Sequence, residues 1–198
     1  MNQERIRAVA DSLATIGYDG ITAFDRTEPE YATMEYLYEK YNSEAHVKIL
    51  VILAASQDYQ LNGDAQKFWK ALEETAAKHD ELDSTLAVRE LLGDFMDKSV
   101  NARLNDQKQD RLVRICDSGF DECFVDNHED AEPLEVWERL ADGLDTKMKR
   151  KTVVLAMKIY DIAHLIQTGE YLEFPRDIPI PCDLQVERVS QTSGMVDS

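Results

Sequence analysis

The run Ile49-Leu50-Val51-Ile52-Leu53-Ala54-Ala55 is the longest uninterrupted apolar stretch in the chain, and it leaves the fold few options. It is far too short to cross a bilayer, which takes about 20 apolar residues. A buried strand is one reading. Its flanks, Ser43 to His46 and Ser56 to Leu61, extend the segment to about 18 residues, a helix length rather than a strand length. A helix apolar on all sides has to be enclosed by other elements. The rest of the sequence reads as those elements. Ile6, Val9, Ala10, Leu13 and Ile16 make one stripe of an amphipathic helix from Gln3 to Ile16, closed by Gly17 and Gly20. Pro29 opens a helix bearing Tyr31, Met34, Leu37, Tyr38 and Tyr41, and Ser43 is the expected N-cap of the apolar segment. After the Asn62-Gly63 break, Asp64 starts a helix with Phe68, Leu72 and Ala76 on one face. Asp83 or Ser84 caps the next, and Asn101 to Cys116 forms another. Residues 117 to 132 read as a polar, acidic loop. Pro133 opens a short helix, Asp142-Gly143-Leu144 is a tight turn, and a long helix runs from about Thr146 to Thr168. Three prolines between Pro175 and Pro181 exclude a helix there, and a last helical segment covers Leu184 to Val189. No strand pattern longer than a scrap appears, and no repeat. The expected fold class is all-α.

Composition narrows the function. With 198 residues the chain can bury a sizeable core without a disulfide scaffold. Cys116, Cys123 and Cys182 show no CxxC spacing, which fits a reducing, cytoplasmic setting. The four histidines (His46, His79, His128 and His164) are scattered without metal-ligand spacing, so no metal is expected. Neither a GxxxxGK[ST] nor a GxGxxG loop is present, so no nucleotide cofactor is expected either. The N-terminus opens directly into a charged helical pattern, with no signal peptide and no membrane segment. The formal net charge of −17 argues at face value against nucleic acid.

Against that acidity, four of the five residues from Lys147 to Lys151 are basic: Lys147, Lys149, Arg150 and Lys151. Lysines at a helix start oppose the helix dipole unless something negative docks there. A solvated charge run and a phosphate grip both account for them. The Pro-stiffened stretch Asp177-Ile178-Pro179-Ile180-Pro181-Cys182-Asp183 fixes the backbone before Asp183. That aspartate reads as an N-cap of the helix from Leu184, a role compatible with a catalytic one. Trp69, next to Phe68, reads either as core or as a base-stacking platform.

Lys151-Thr152-Val153-Val154-Leu155-Ala156-Met157-Lys158-Ile159 followed by Asp177-Ile178-Pro179-Ile180-Pro181-Cys182-Asp183 closely resembles the archaeal 8-oxoguanine DNA glycosylase family (AGOG), of the helix-hairpin-helix repair glycosylases. Asn62-Gly63 through Trp69 extends the likeness upstream, and Ala102-Arg103 through Cys116-Asp117 follows it more loosely. The resemblance implies one helical, glycosylase-like domain over residues 1–198, in one body or two lobes. It implies a base-excision N-glycosylase/AP lyase acting as a monomer on double-stranded DNA containing 8-oxoguanine, without a cofactor. Lys151 would be the nucleophile, forming a Schiff base with the sugar and nicking the strand by β-elimination, with its pKa lowered by burial or by cationic neighbours. Asp183 would stabilise the positive charge developing on the sugar. Trp69, Glu30 and Leu155 would line the pocket for the flipped base, and Gly143, Lys147, Lys149 and Arg150 would contact DNA at the hairpin. The chain departs from the family in three places. Leu155 stands where an aromatic residue is usual, Glu30 where a glutamine reads the base, and the family continues past Asp183 with further helices. A non-catalytic or lyase-only DNA-binding protein is the alternative that these departures imply.

Overall fold

The computed structural model describes residues 1–175 and 184–196. Asp183 and the Pro-rich stretch from Asp177 to Cys182 lie outside the described residues. Among the described residues the secondary structure is wholly helical, with eleven α-helices and one 3₁₀ turn.

The apolar segment is α4 (Glu44–Ala55), and every residue from Val47 to Ala55 is buried. Even Lys48 is buried, its ammonium paired with Glu44 one turn earlier. The helix stops at Ala55 rather than running on to Leu61. Beyond it the Ser56 hydroxyl donates to the Leu53 carbonyl at 2.7 Å, and Gln60 adopts a left-handed φ of 47° that no helix continues through. Against α4 lies α10 (Lys151–Thr168), whose Val153, Ala156, Met157, Ile159, Tyr160, Ile162 and Ala163 are all buried. α3 (Pro29–Lys40), α5 (Ala65–Ala76) and α6 (Thr85–Met96) complete the wall around this pair. Two expected caps form: the Asp64 carboxylate accepts from the Lys67 amide at 2.9 Å, and the Ser84 hydroxyl accepts from Ala87 at 3.2 Å. Ser43 sits at the N-cap position of α4, but its hydroxyl bonds the His46 ring at 2.6 Å instead of a backbone amide.

Four local expectations are corrected. The first helix, α1 (Gln3–Ala14), is followed at once by α2 (Gly17–Asp25); Gly17, at φ +66°, ends one helix and opens the next. The 117–132 stretch holds α8 (Phe120–Asn127), anchored by Phe120 and Phe124 one turn apart in the core. Asn101 belongs to a 3₁₀ turn (Ser99–Asn101), and α7 (Asn105–Asp117) begins only after Leu104 turns left-handed. Finally, α9 (Pro133–Gly143) and α10 are separated by a turn through Arg150, so Lys147 to Arg150 precede the long helix rather than form its first turn. The last helix, α11, covers Leu184–Thr192.

Candidate active site at the start of the long helix

Arg150 has extended backbone (φ −67°, ψ 137°), and Lys151 is the first helical residue of α10. The turn before it is tightly built. Its amides at 144, 145 and 146 donate to the carbonyls of Leu140, Asp142 and Ala141, and the Trp137 indole N–H donates to the Met148 carbonyl at 2.9 Å. Gly143 is buried at the end of α9. A Cβ there would meet the Ser118 hydroxyl of α7 at 2.7 Å, so the glycine serves the close approach of two helices. With the amides of 144–146 used inside the turn, the exposed side chains of Lys147, Lys149 and Arg150 are among the groups it offers outward.

Lys151 is exposed and lines an open cleft of about 450 Å³ with Tyr59, Gln60, Gln107, Arg111, Thr146, Arg150 and Thr152. Three separate elements build its wall. Tyr59 and Gln60 come from the loop after α4, Gln107 and Arg111 from α7, and the remainder from the start of α10 and the turn before it. An Arg111 Nη2 donates to the Thr152 hydroxyl at 2.8 Å. Its guanidinium carbon lies 5.8 Å from the centre of the Tyr59 ring, and the Lys108 ammonium lies 5.2 Å from the same ring. Lys108 is fully buried and donates to Asn101 Oδ1 at 3.3 Å, while Asn101 Nδ2 donates to the Phe95 carbonyl at 2.9 Å. Burial lowers the pKa of both cations below their usual ranges; the charge of Asp58 opposes this at Lys108, and Tyr59 opposes it at Arg111. Burial also pushes the Asp58 carboxyl up to about 6, held back by Lys108 and Lys151. None of Asp58, Lys108 and Arg111 stood out in the sequence. Each is an ordinary surface-type residue there, and only the packing of α7 against the α4–α5 loop brings them beside Lys151.

The expected base-pocket residues lie further along. Lys151, Leu155 and Lys158 form one stripe of α10 at i, i+4 and i+7. Lys158 Nζ lies 3.5 Å from Asp25, the last residue of α2, which also accepts from the Tyr171 hydroxyl at 2.8 Å. Glu30, in the first turn of α3, is only 7% exposed. Burial pushes its carboxyl above the usual range; its own backbone amide and Lys158 oppose this, while Glu28 and Asp58 reinforce it. Leu155 is half-buried. Trp69 is 1% exposed, edge-on to Phe68 at 5.5 Å, and its carbonyl accepts from Thr33 of α3 at 3.2 Å. Its placement is that of a core residue one helix away from Glu30. Asp183 lies outside the described residues. Among the described residues no cluster of His, Cys, Asp and Glu is arranged to hold a metal ion, and no helix is long and apolar enough to cross a membrane.

The family model for AGOG, N-glycosylase/DNA lyase, matches residues 10–198. The chain therefore belongs to the AGOG N-glycosylase/DNA lyase family. Among its relatives, the N-glycosylase/DNA lyase of Pyrobaculum aerophilum is 24% identical over 98% of this chain and 72% of its own length. That of Methanococcus maripaludis is 29% identical over 84% of this chain and 66% of its own length. The crystal structure of the P. aerophilum 8-oxoguanine DNA glycosylase, Pa-AGOG, complexed with 8-oxoguanosine, superposes with a TM-score of 0.80 at 22% identity. The match covers the whole of this chain and 73% of that one, and the two share a fold.

Proposed function

We propose that this chain is a base-excision N-glycosylase/AP lyase that removes 8-oxoguanine from double-stranded DNA, working as a cytoplasmic monomer without a cofactor. The observation that carries the reading is Lys151, exposed at the head of a buried helix and flanked by Arg111 and Arg150 in a cleft open to a large substrate. In its amine form Lys151 Nζ attacks C1′ of the flipped nucleoside, and the bond from C1′ to the base breaks as the base leaves with the glycosidic electron pair. The sugar ring opens to a Schiff base. Loss of a proton from C2′ then expels the 3′ phosphate, and water releases the lysine. Asp183 is the group assigned to stabilise the positive charge on the sugar. Lys147, Lys149 and Arg150 engage the backbone through their side chains, with Gly143 shaping the turn that presents them. Glu30 and Leu155 border the base pocket, and Trp69, in the core, backs its α3 wall from behind. Burial pushes the Glu30 carboxyl above its usual range, and in its protonated form such a group has an O–H donor as well as an acceptor.

Borohydride trapping on a duplex containing 8-oxoguanine tests the reading. A covalent adduct is expected with the native chain and none with Lys151→Gln; equal trapping by the two overturns it. A lyase-only protein is the second reading, favoured by Leu155, which offers the base pocket no aromatic face one turn beyond Lys151. It predicts nicking at pre-formed abasic sites with little release of the base.

A further inference from the structure

Four other clefts on the surface each include carboxylates: Asp130 and Glu135 in one, Glu138 and Asp142 in the next, Asp64 and Glu74 in the third, and Asp19 in the fourth. Among the described residues the cleft beside Lys151 is lined by none, and it holds three cations: Arg111, Arg150 and Lys151. Its remaining polar lining consists of Tyr59, Gln60, Gln107, Thr146 and Thr152. Arg111 is the unusual member. Thr152 accepts from only one of its five N–H groups, and its buried Nε finds no acceptor among the described residues. Burying a guanidinium with donors unmet costs free energy that an anion in the cleft would offset. Its seat is also firm, over the Tyr59 ring and tied to the first turn of α10.

We infer that this cleft is a phosphodiester site: Arg111, with Arg150, holds a backbone phosphate of the substrate strand next to the nucleotide that Lys151 attacks. The inference rests on the glycosylase reading above and adds a contact outside the α9–α10 turn. A planar guanidinium grips a phosphate with two parallel N–H groups, which gives direction as well as attraction. Arg111 thereby sets the register of the strand, and through Thr152 it ties that register to Lys151.

Fluorescence anisotropy with a duplex carrying a tetrahydrofuran abasic analogue isolates binding from chemistry. Arg111→Ala is expected to weaken binding roughly tenfold, as the loss of one charge-assisted contact does. The slope of log K against log salt should become shallower by about 0.9. Arg111→Lys should restore the slope but only part of the affinity. Uncharged methylphosphonate linkages are then placed one at a time around the analogue. One position should cost the native chain roughly tenfold and cost Arg111→Ala nothing further. If every neutral linkage leaves the native chain unaffected, or if the losses from linkage and variant simply multiply, the inference is overturned. Should Arg111→Ala fail to fold, the same scan on Arg150→Ala decides by the same criterion. Failure of the trapping test at Lys151 would sink the glycosylase reading while leaving these binding results interpretable by themselves.

Discussion

α1 and α4 are both 12 residues long, and they are held in opposite ways. α4 is enclosed all round from Val47 to Ala55, while α1 has a clear apolar stripe and buries no residue at all. Leu13 is 59% exposed and Phe24 of the neighbouring α2 is 60% exposed. This N-terminal pair is held by polar pins instead. The Tyr18 hydroxyl donates to the Gly169 carbonyl at 2.9 Å, Tyr171 and Lys158 both reach Asp25, and Arg5 Nε donates to the Ser193 carbonyl at 2.5 Å. A stripe therefore establishes that a segment is helical, whereas what it packs on is decided elsewhere. Packing spreads stability over dozens of small contacts; pins concentrate it in a few groups whose loss is felt locally.

The largest expected effect tests the packed side. Ile52→Ala, at a fully buried position of α4, should cost about 2–5 kcal/mol in urea unfolding. A loss under ~1 kcal/mol would mean that the α4–α10 pair is not the centre of the core. Tyr171→Phe tests the pins. It removes a donor to the buried Asp25 carboxylate and should cost about 1–3 kcal/mol. Hydrogen exchange should rise in α2 while α4 stays protected; uniform acceleration would erase the distinction between the regions. The third prediction concerns pH. Burial pushes the Asp161 carboxyl up to about 6 from 3.8, with the Leu172 amide holding it back. Between those values the folded chain keeps a proton that the unfolded chain has lost. This contribution to stability is therefore full below the lower value and gone above the upper one. Asp161→Asn, which has no charge to bury, should gain on the native chain as pH rises from about 4 to about 7 in thermal unfolding. A gap that is constant with pH would refute the assignment. Smallest of all, Leu13→Ala should change stability by no more than about 0.5 kcal/mol. A larger loss would show that the stripe of α1 is covered in solution.

Much of this fold was legible in the sequence because its signals are local. Pro29 and Pro133 open helices, Asp64 and Ser84 cap them, and the apolar run of α4 has nowhere to go but inside. What failed to show was non-local or disguised. α8 hides because its buried apolar anchors, Phe120 and Phe124, stand among acids, and an i, i+4 pair in such company looks like a loop. The head of α10 was placed too early because a dense run of lysine and arginine carries no boundary signal. Within the site, Lys151 and its motif lie in one continuous stretch, so resemblance reaches them. Arg111, Lys108 and Asp58 are drawn from other parts of the chain and become neighbours only through tertiary packing. Net charge misleads for a related reason. The total of −17 averages over the whole surface, whereas the field in the cleft is set by the cations nearest to it.

The 18-residue length of α10 also makes it a lever. It extends roughly 27 Å, with Lys151 at one end and the Gly169 turn at the other. A tilt of only about 2° pivoting on the far end would carry the lysine backbone by roughly 1 Å, a displacement that can cost an enzyme about a hundredfold in rate. The packing around Ile162 and Leu165 thus acts as a mounting for the end that carries Lys151 as well as a source of stability. Substitutions there would be felt as mis-aim before they were felt as unfolding.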